Sequence, residues 1–206
     1  MRNARHTAVA VMGLGAMGAS LARAFMAKNG NVNVWNRTPE RMSALLAEGA
    51  TPMATAVEAF ETSRLIVMCT TDKRAAGDVL RRSDVIGALE GRTVVNLSTG
   101  SVADARDIAA HVARHGGKYI DGGIMGYPRD IGKTSTVMLY GGDVSAYETH
   151  RDTLAALGGN MRFLGADPGV VPNAYLALYA YYFGCVASFF EGAHWPSARA
   201  WISRNS

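Results

Sequence analysis

Three glycines carry the clearest chemistry in this chain of 206 residues: Gly13-Leu14-Gly15-Ala16-Met17-Gly18 follows an apolar run, Thr7 to Met12, and leads into a helical pattern. Gly-x-Gly-x-x-Gly in that context forms a cradle for a pyrophosphate. Gly13 permits a tight turn and Gly15 lets the backbone approach the anion. Gly18 lets the helix pack close to the strand, with its N-terminus facing the negative charge. The competing reading is a glycine-rich turn with no ligand.

A second strand, Asn31 to Trp35, ends where a dinucleotide fold selects its cofactor, roughly 20 residues past the glycines. An NAD-selective site needs an acidic residue there for the ribose 2′-hydroxyl. The chain reads Trp35-Asn36-Arg37-Thr38-Pro39-Glu40-Arg41 instead. Arg37 and Arg41 can meet a 2′-phosphate with charge-assisted bonds, and Asn36 and Thr38 can donate to it, so the expected cofactor is NADP(H). The alternative is that both arginines lie on a solvated helix start at Pro39.

The elements that must position these groups alternate. After the first two strands come a helix from Pro39 to Glu48, a short element at Thr51 to Ala54 and a helix from Ala56 to Glu61. A strand, Leu65 to Cys69, ends in Thr70-Thr71-Asp72. Another, Thr93 to Leu97, closes in Ser98-Thr99-Gly100. A helix from Val102 to His115, a strand at Lys118 to Asp121 and a loop from Gly122 to Gly132 follow. Then come a strand at Thr136 to Tyr140, a helix from Tyr147 to Leu157 and Arg162-Phe163-Leu164 before Gly165. Strand and helix in alternation predict an α/β fold with a doubly wound, mainly parallel Rossmann sheet and ligands at its carboxyl edge. Cys69, Thr70 and Thr71 are then expected to line the cofactor, with Ser98 and Thr99 near its nicotinamide, while Met125 packs against substrate or core.

Composition narrows the partners. The net charge of +4 is modest and its Lys and Arg are scattered, which argues against nucleic acid. Two cysteines, Cys69 and Cys185, read as buried free thiols of a reducing cytoplasm, and the polar start Met1 to His6 carries no export signal. His6, His111, His115, His150 and His194 show no metal-ligand spacing, so no metal is expected.

From Gly169 to Phe190 no residue is charged. At about 1.5 Å per residue such a helix is long enough to span a bilayer. Pro172, Asn173, four tyrosines and the lack of flanking basic clusters favour a helix buried between domains or subunits over a membrane span. Three segments result: a dinucleotide domain over 1–166, an interdomain helix over 167–193 and an atypical tail over 194–206.

The chain resembles the NADP-dependent imine reductases and reductive aminases, relatives of the β-hydroxyacid dehydrogenases, over almost all of residues 7–193. The likeness rests on Gly13 to Gly18, Val34-Trp-Asn-Arg-Thr-Pro39, Asn96-Leu-Ser-Thr-Gly100, Tyr119-Ile-Asp-Gly-Gly-Ile-Met125, Tyr140-Gly-Gly142 and Gly165-Ala-Asp-Pro-Gly169. It implies hydride transfer to a C=N bond, which needs a positioned proton donor. The hydroxyacid dehydrogenases place a lysine on the long helix for that role, but this chain has no lysine after Lys133. Tyr175 matches the donor position of the imine-reducing branch. By the same resemblance Asn96 and Asp167 help bind a carbonyl compound and an amine and hold the imine. Read without it, Asp167 caps a helix, Tyr175 packs and Asn96 satisfies a loop. A β-hydroxyacid dehydrogenase and a catalytically silent NADP-binding module remain the alternatives.

Relatives of this kind continue into an all-helical domain that forms a homodimer and closes the active site. The tail from His194 departs from that pattern, and Pro196 interrupts its helix. Joining the third base of each codon to the first two of the next turns His194-Trp195 into Leu, Trp195-Pro196 into Ala and Trp201-Ile202 into Asp. The tail is therefore read as an out-of-frame stretch of a shortened enzyme whose activity is in doubt. Sequencing the gene tests it, and a codon set incompatible with those residues overturns it.

Overall fold

The computed structural model describes residues 9–194. Two compact units result, one through Pro172 and one from Asn173 onward. The division falls later than residue 166 because Asp167 and Val170 belong to the first unit's packing: a Cβ on Gly141 would stand 2.5 Å from Val170 Cγ1 and 3.1 Å from the Asp167 carbonyl oxygen.

The first unit is built on an eight-stranded sheet in the order β3-β2-β1-β4-β5-β6-β7-β8. Its central strands, β1 (Val9–Met12), β4 (Leu65–Met68) and β5 (Thr93–Asn96), are buried at every residue. Such strands read as unbroken apolar runs because helices cover both faces. Alternate residues separate the two cores. Val9, Val11 and Val67 join Leu21 and Phe25 of α1 (Ala16–Asn29) and Leu154 of α7 (Val144–Leu154). Ala10, Met12 and Ile66 join Phe60 of α3 (Ala56–Thr62), Leu80 of α4 (Lys73–Leu80) and Ile108 of α6 (Val102–Arg114). β2 (Asn33–Trp35) and β3 (Thr51–Pro52) complete one side of β1, while β6 (Lys118–Met125), β7 (Val137–Gly142) and β8 (Asn160–Phe163) extend beyond β5. Among the described strands only β6 and β7 pair antiparallel.

Three segments differ from expectation. The stretch after Pro39 is a 3-10 turn, Pro39–Met42, followed by the short α2, Ser43–Ala47. Between β4 and β5 lie α4 and α5 (Ser83–Ile86), which apolar periodicity did not announce; Asp72 starts α4 by accepting from Ala75 N at 2.8 Å. The expected loop from Gly122 is strand as far as Met125, followed by a 3-10 turn at Pro128–Asp130. Gly122 serves packing there, since a Cβ would stand 2.4 Å from Leu97 Cδ2.

α8 (Val170–His194) is long and apolar enough to cross a membrane. Within the second unit it carries ring contacts one turn apart, Tyr175 to Tyr179 at 5.8 Å and Tyr179 to Phe183 at 6.2 Å. Leu176, Tyr181, Phe183 and Phe189 are exposed on it, as is Cys185, whose expected burial is therefore not met in this chain. At the start of this helix Val171 and Pro172 are buried. Of the tail, residues 195–206 lie outside the described residues, as do Thr7, Ala8 and His6.

Candidate dinucleotide site

The cradle forms as the glycine spacing requires. Gly13 takes φ +90°, and a Cβ there would meet the Cys69 carbonyl oxygen at 2.4 Å. A Cβ on Gly18 would stand 1.9 Å from the Gly13 carbonyl oxygen, so only hydrogen fits where α1 crosses the turn. Gly15 is different, because a Cβ there meets nothing within 4 Å. Gly15 is also the N-cap of α1, with no side-chain cap and no acid in the first turn. The helix's first N–H groups and the space before them are thus open to an anion. Leu14, Ala16 and Met17 complete this turn.

The end of β2 is tied to the cradle. Gly13 N donates to the Trp35 carbonyl at 3.0 Å. Asn36 Oδ1 accepts from Leu14 N at 2.9 Å, and its Nδ2 donates to the Thr38 carbonyl at 2.9 Å. Asn36 therefore shapes the loop, a role its expected contact to a phosphate did not anticipate. Arg37, Thr38 and Arg41 are exposed beside it, and among the described residues neither arginine has an acid in salt-bridge range. Their position fits a 2′-phosphate.

The ends of β4 and β5 form the second half. Cys69 is mostly buried beneath Gly18, and burial pushes its thiol up to about 11, which keeps it protonated. Thr70 N donates to Ser98 Oγ at 2.9 Å, and the two hydroxyls are also 2.9 Å apart. Thr71 and Thr99 are exposed at this edge, and Met125 is half-buried. Asn96 is 0% exposed, and its Oδ1 accepts from Ser98 N at 3.0 Å. Its Oδ1 thus holds the turn, while its Nδ2 is buried with no partner among the described residues.

Asp167 is exposed and forms a two-pronged pair with Arg106 of α6, Nε to Oδ1 at 3.1 Å and Nη2 to Oδ2 at 2.6 Å. Oδ1 also accepts from Gly169 N at 2.8 Å. The Arg106 guanidinium, then the Gly169 N–H, hold the carboxyl down at about 2, so it is an anion at any working pH. Arg106 was not among the expected site residues, and nothing in its spacing marked it. Asn96 and Asp167 share no partner among the described residues. Tyr175 lies on α8 in the second unit.

Comparison with known proteins follows this geometry. Residues 8–165 match the family model of the NAD binding domain of 6-phosphogluconate dehydrogenase. The chain is 34% identical over 182 residues to the NADPH-dependent reductive aminase of Aspergillus oryzae, covering 88% of this chain and 61% of that protein. An imine reductase structure from Pseudomonas sp. superposes with a TM-score of 0.85 at 48% identity, over 92% of this chain and 66% of that one. The imine reductase from Myxococcus stipitatus in complex with NADP+ gives a TM-score of 0.84 at 31% identity, over 95% of this chain and 71% of that one. The chain thus spans less than two thirds of the length of the first two of these relatives.

Proposed function

The chain belongs to the imine reductase and reductive aminase family, built on a dinucleotide-binding domain of the 6-phosphogluconate dehydrogenase type, and on that premise we propose that it binds NADP(H) and reduces C=N bonds. The observation that carries the cofactor half is the open face at Gly15, at an uncapped helix N-terminus, beside the exposed Arg37 and Arg41. When bound, the cofactor supplies the hydride.

The remaining chemistry falls to the chain's own residues. Asp167, fixed as an anion by Arg106, is suited to hold a cationic amine or iminium and unsuited to donate a proton at neutral pH. That role passes to Tyr175, the hydroxyl that stands where hydroxyacid dehydrogenases carry a lysine. Asn96 contributes through the turn it holds at Ser98. The substrates are an imine, or a ketone with an amine. The whole protein is read as a cytoplasmic homodimer, a reading supported by the free cysteines and by the exposed apolar side chains of α8, which a second subunit would cover.

The test is titration of the purified chain with NADPH and NADH by fluorescence, followed by addition of a simple cyclic imine. Preferential NADPH binding is expected, and oxidation of the cofactor on adding imine supports the substrate reading. Binding of neither nucleotide overturns the cofactor reading, and oxidation with a hydroxyacid's ketone but not with imine overturns the substrate reading.

A further inference from the structure

A doubly wound sheet takes a dinucleotide across two halves, one nucleotide per set of strands. Here β1 to β3 carry the glycine cradle and the arginines, leaving β4, β5 and β6 for the nicotinamide half. The ends of β4 and β5 and the middle of β6 meet at Lys73. It is the first residue of α4, yet it is 2% exposed. Its backbone N donates to the Thr99 carbonyl at 2.8 Å. Its Nζ donates to the Ser98 carbonyl at 2.6 Å and pairs with Asp121 Oδ1 at 3.1 Å. Asp121, on β6 beside Asn96 in register, is fully buried. Tyr119 donates to the same Oδ1 at 2.8 Å, while Oδ2 has no partner among the described residues.

The contact is tight and specific. A Cβ on Gly100 would stand 2.7 Å from the Lys73 stem, so the loop closes directly on the side chain. One ammonium thereby connects the α4 start after β4, the Ser98 turn after β5 and the carboxylate on β6. A buried pair of this kind gains little stability over an apolar pair of the same shape, because both charges lose water. What it supplies is a fixed geometry: the Ser98 carbonyl cannot turn without stranding the ammonium, and the Ser98 hydroxyl in turn holds Thr70 N. We propose that Lys73 is a positioning residue for the nicotinamide half of the cofactor, clamping the Ser98–Gly100 turn through the Ser98 carbonyl and Asp121. The inference rests on the cofactor reading above.

The experiment compares two ligands on the full chain. NADPH spans both halves, and 2′-phospho-ADP-ribose lacks the nicotinamide. Lys73→Met keeps the stem and removes the ammonium. It should weaken NADPH by about tenfold, the scale of one lost charge-assisted bond, and leave 2′-phospho-ADP-ribose within about twofold. Because the single substitution strands Asp121, the double variant Lys73→Met/Asp121→Asn removes both charges and guards against simple misfolding. It should show the same selective loss with a cooperative thermal transition retained. Equal losses for both ligands, or no loss for either, in the folded double variant overturn the role of Lys73. Failure of the unsubstituted chain to bind either ligand overturns the cofactor reading and this inference with it.

Discussion

The two halves of the dinucleotide site are built on opposite principles. The β1–β2 half is made by absence: no side chain on Gly15, no side-chain cap on α1 and, among the described residues, no ion pair to Arg37 or Arg41. The β4–β5–β6 half is made by internal bonding, with Thr70, Ser98, Asn96, Lys73 and Asp121 linked to one another and only Asn96 Nδ2 and Asp121 Oδ2 among these side chains left without a partner among the described residues. The first half keeps its polar groups for a ligand. The second spends them on itself and offers the ligand a shaped edge. Affinity should therefore respond directly to substitutions in the first half, and only through geometry in the second.

The largest effect expected is at the glycines, and it separates fold from binding. Gly18→Val forces a methyl-bearing carbon into the Gly13 carbonyl and should cost about 1–3 kcal/mol or more, visible as a lowered thermal midpoint. Gly15→Val has open space around it, so its melting loss should be the smaller of the two, set only by a poorer N-cap, while NADPH affinity falls by about a hundredfold or more as the added bulk takes the anion's place. Equal melting losses for both variants would remove the distinction between a packing glycine and a binding one.

Next come the arginines. Arg37→Ala and Arg41→Ala should each weaken NADPH by about tenfold and leave NADH and the thermal midpoint unchanged, because only the 2′-phosphate calls on them. Parallel NADPH and NADH titrations check this. An equal loss for both nucleotides would place the arginines elsewhere on the cofactor.

A smaller effect lies beneath the sheet, away from both halves. His150 is buried with Nε2 3.1 Å from Thr93 Oγ1 and Nδ1 without a partner among the described residues. Burial, then the positive charge of Lys118, lowers its pKa below the ordinary 6.5. A lowered pKa means the unfolded chain binds the proton more readily. The stability this contributes is full above about 6.5 and is lost as pH falls through the lowered value. His111 shifts the same way, mainly by burial. His150→Gln should flatten part of the acid-side slope of melting temperature against pH without altering nucleotide affinity at neutral pH.

The smallest is Arg106→Ala. Its pair with Asp167 is exposed, so melting should not change measurably. The carboxyl, freed of the guanidinium, should rise from about 2 toward the usual carboxylate range, which NMR titration of Asp167 would follow. An unmoved titration would mean that the Gly169 N–H alone holds it down.

Particular residues show how far reading the chain by itself reached. The Gly13–Gly15–Gly18 spacing, the unbroken apolar runs of β1, β4 and β5 and the absent acid at the end of β2 are local facts, and each maps onto one element of the sheet. Asn36 was legible as a site residue but not in its bonds to Leu14 N and the Thr38 carbonyl, because those depend on how close β1 and β2 come. The strand from Gly122 to Met125 read as loop, since glycine signals turns and only the facing Tyr140 and Leu97 show that it is packing.

The succession of strands and helices along the chain, the cofactor class and the place of the cradle follow from the sequence by itself, because backbone conformation and burial periodicity are written at short range. The Lys73–Asp121 pair, the bonds that close Asn96 inside the Ser98 turn and the guanidinium that fixes Asp167 as an anion were decided only by the tertiary structure. Each joins groups 25 or more residues apart or depends on burial that neighbouring strands create. Nothing in local spacing encodes which charges will lose their water together.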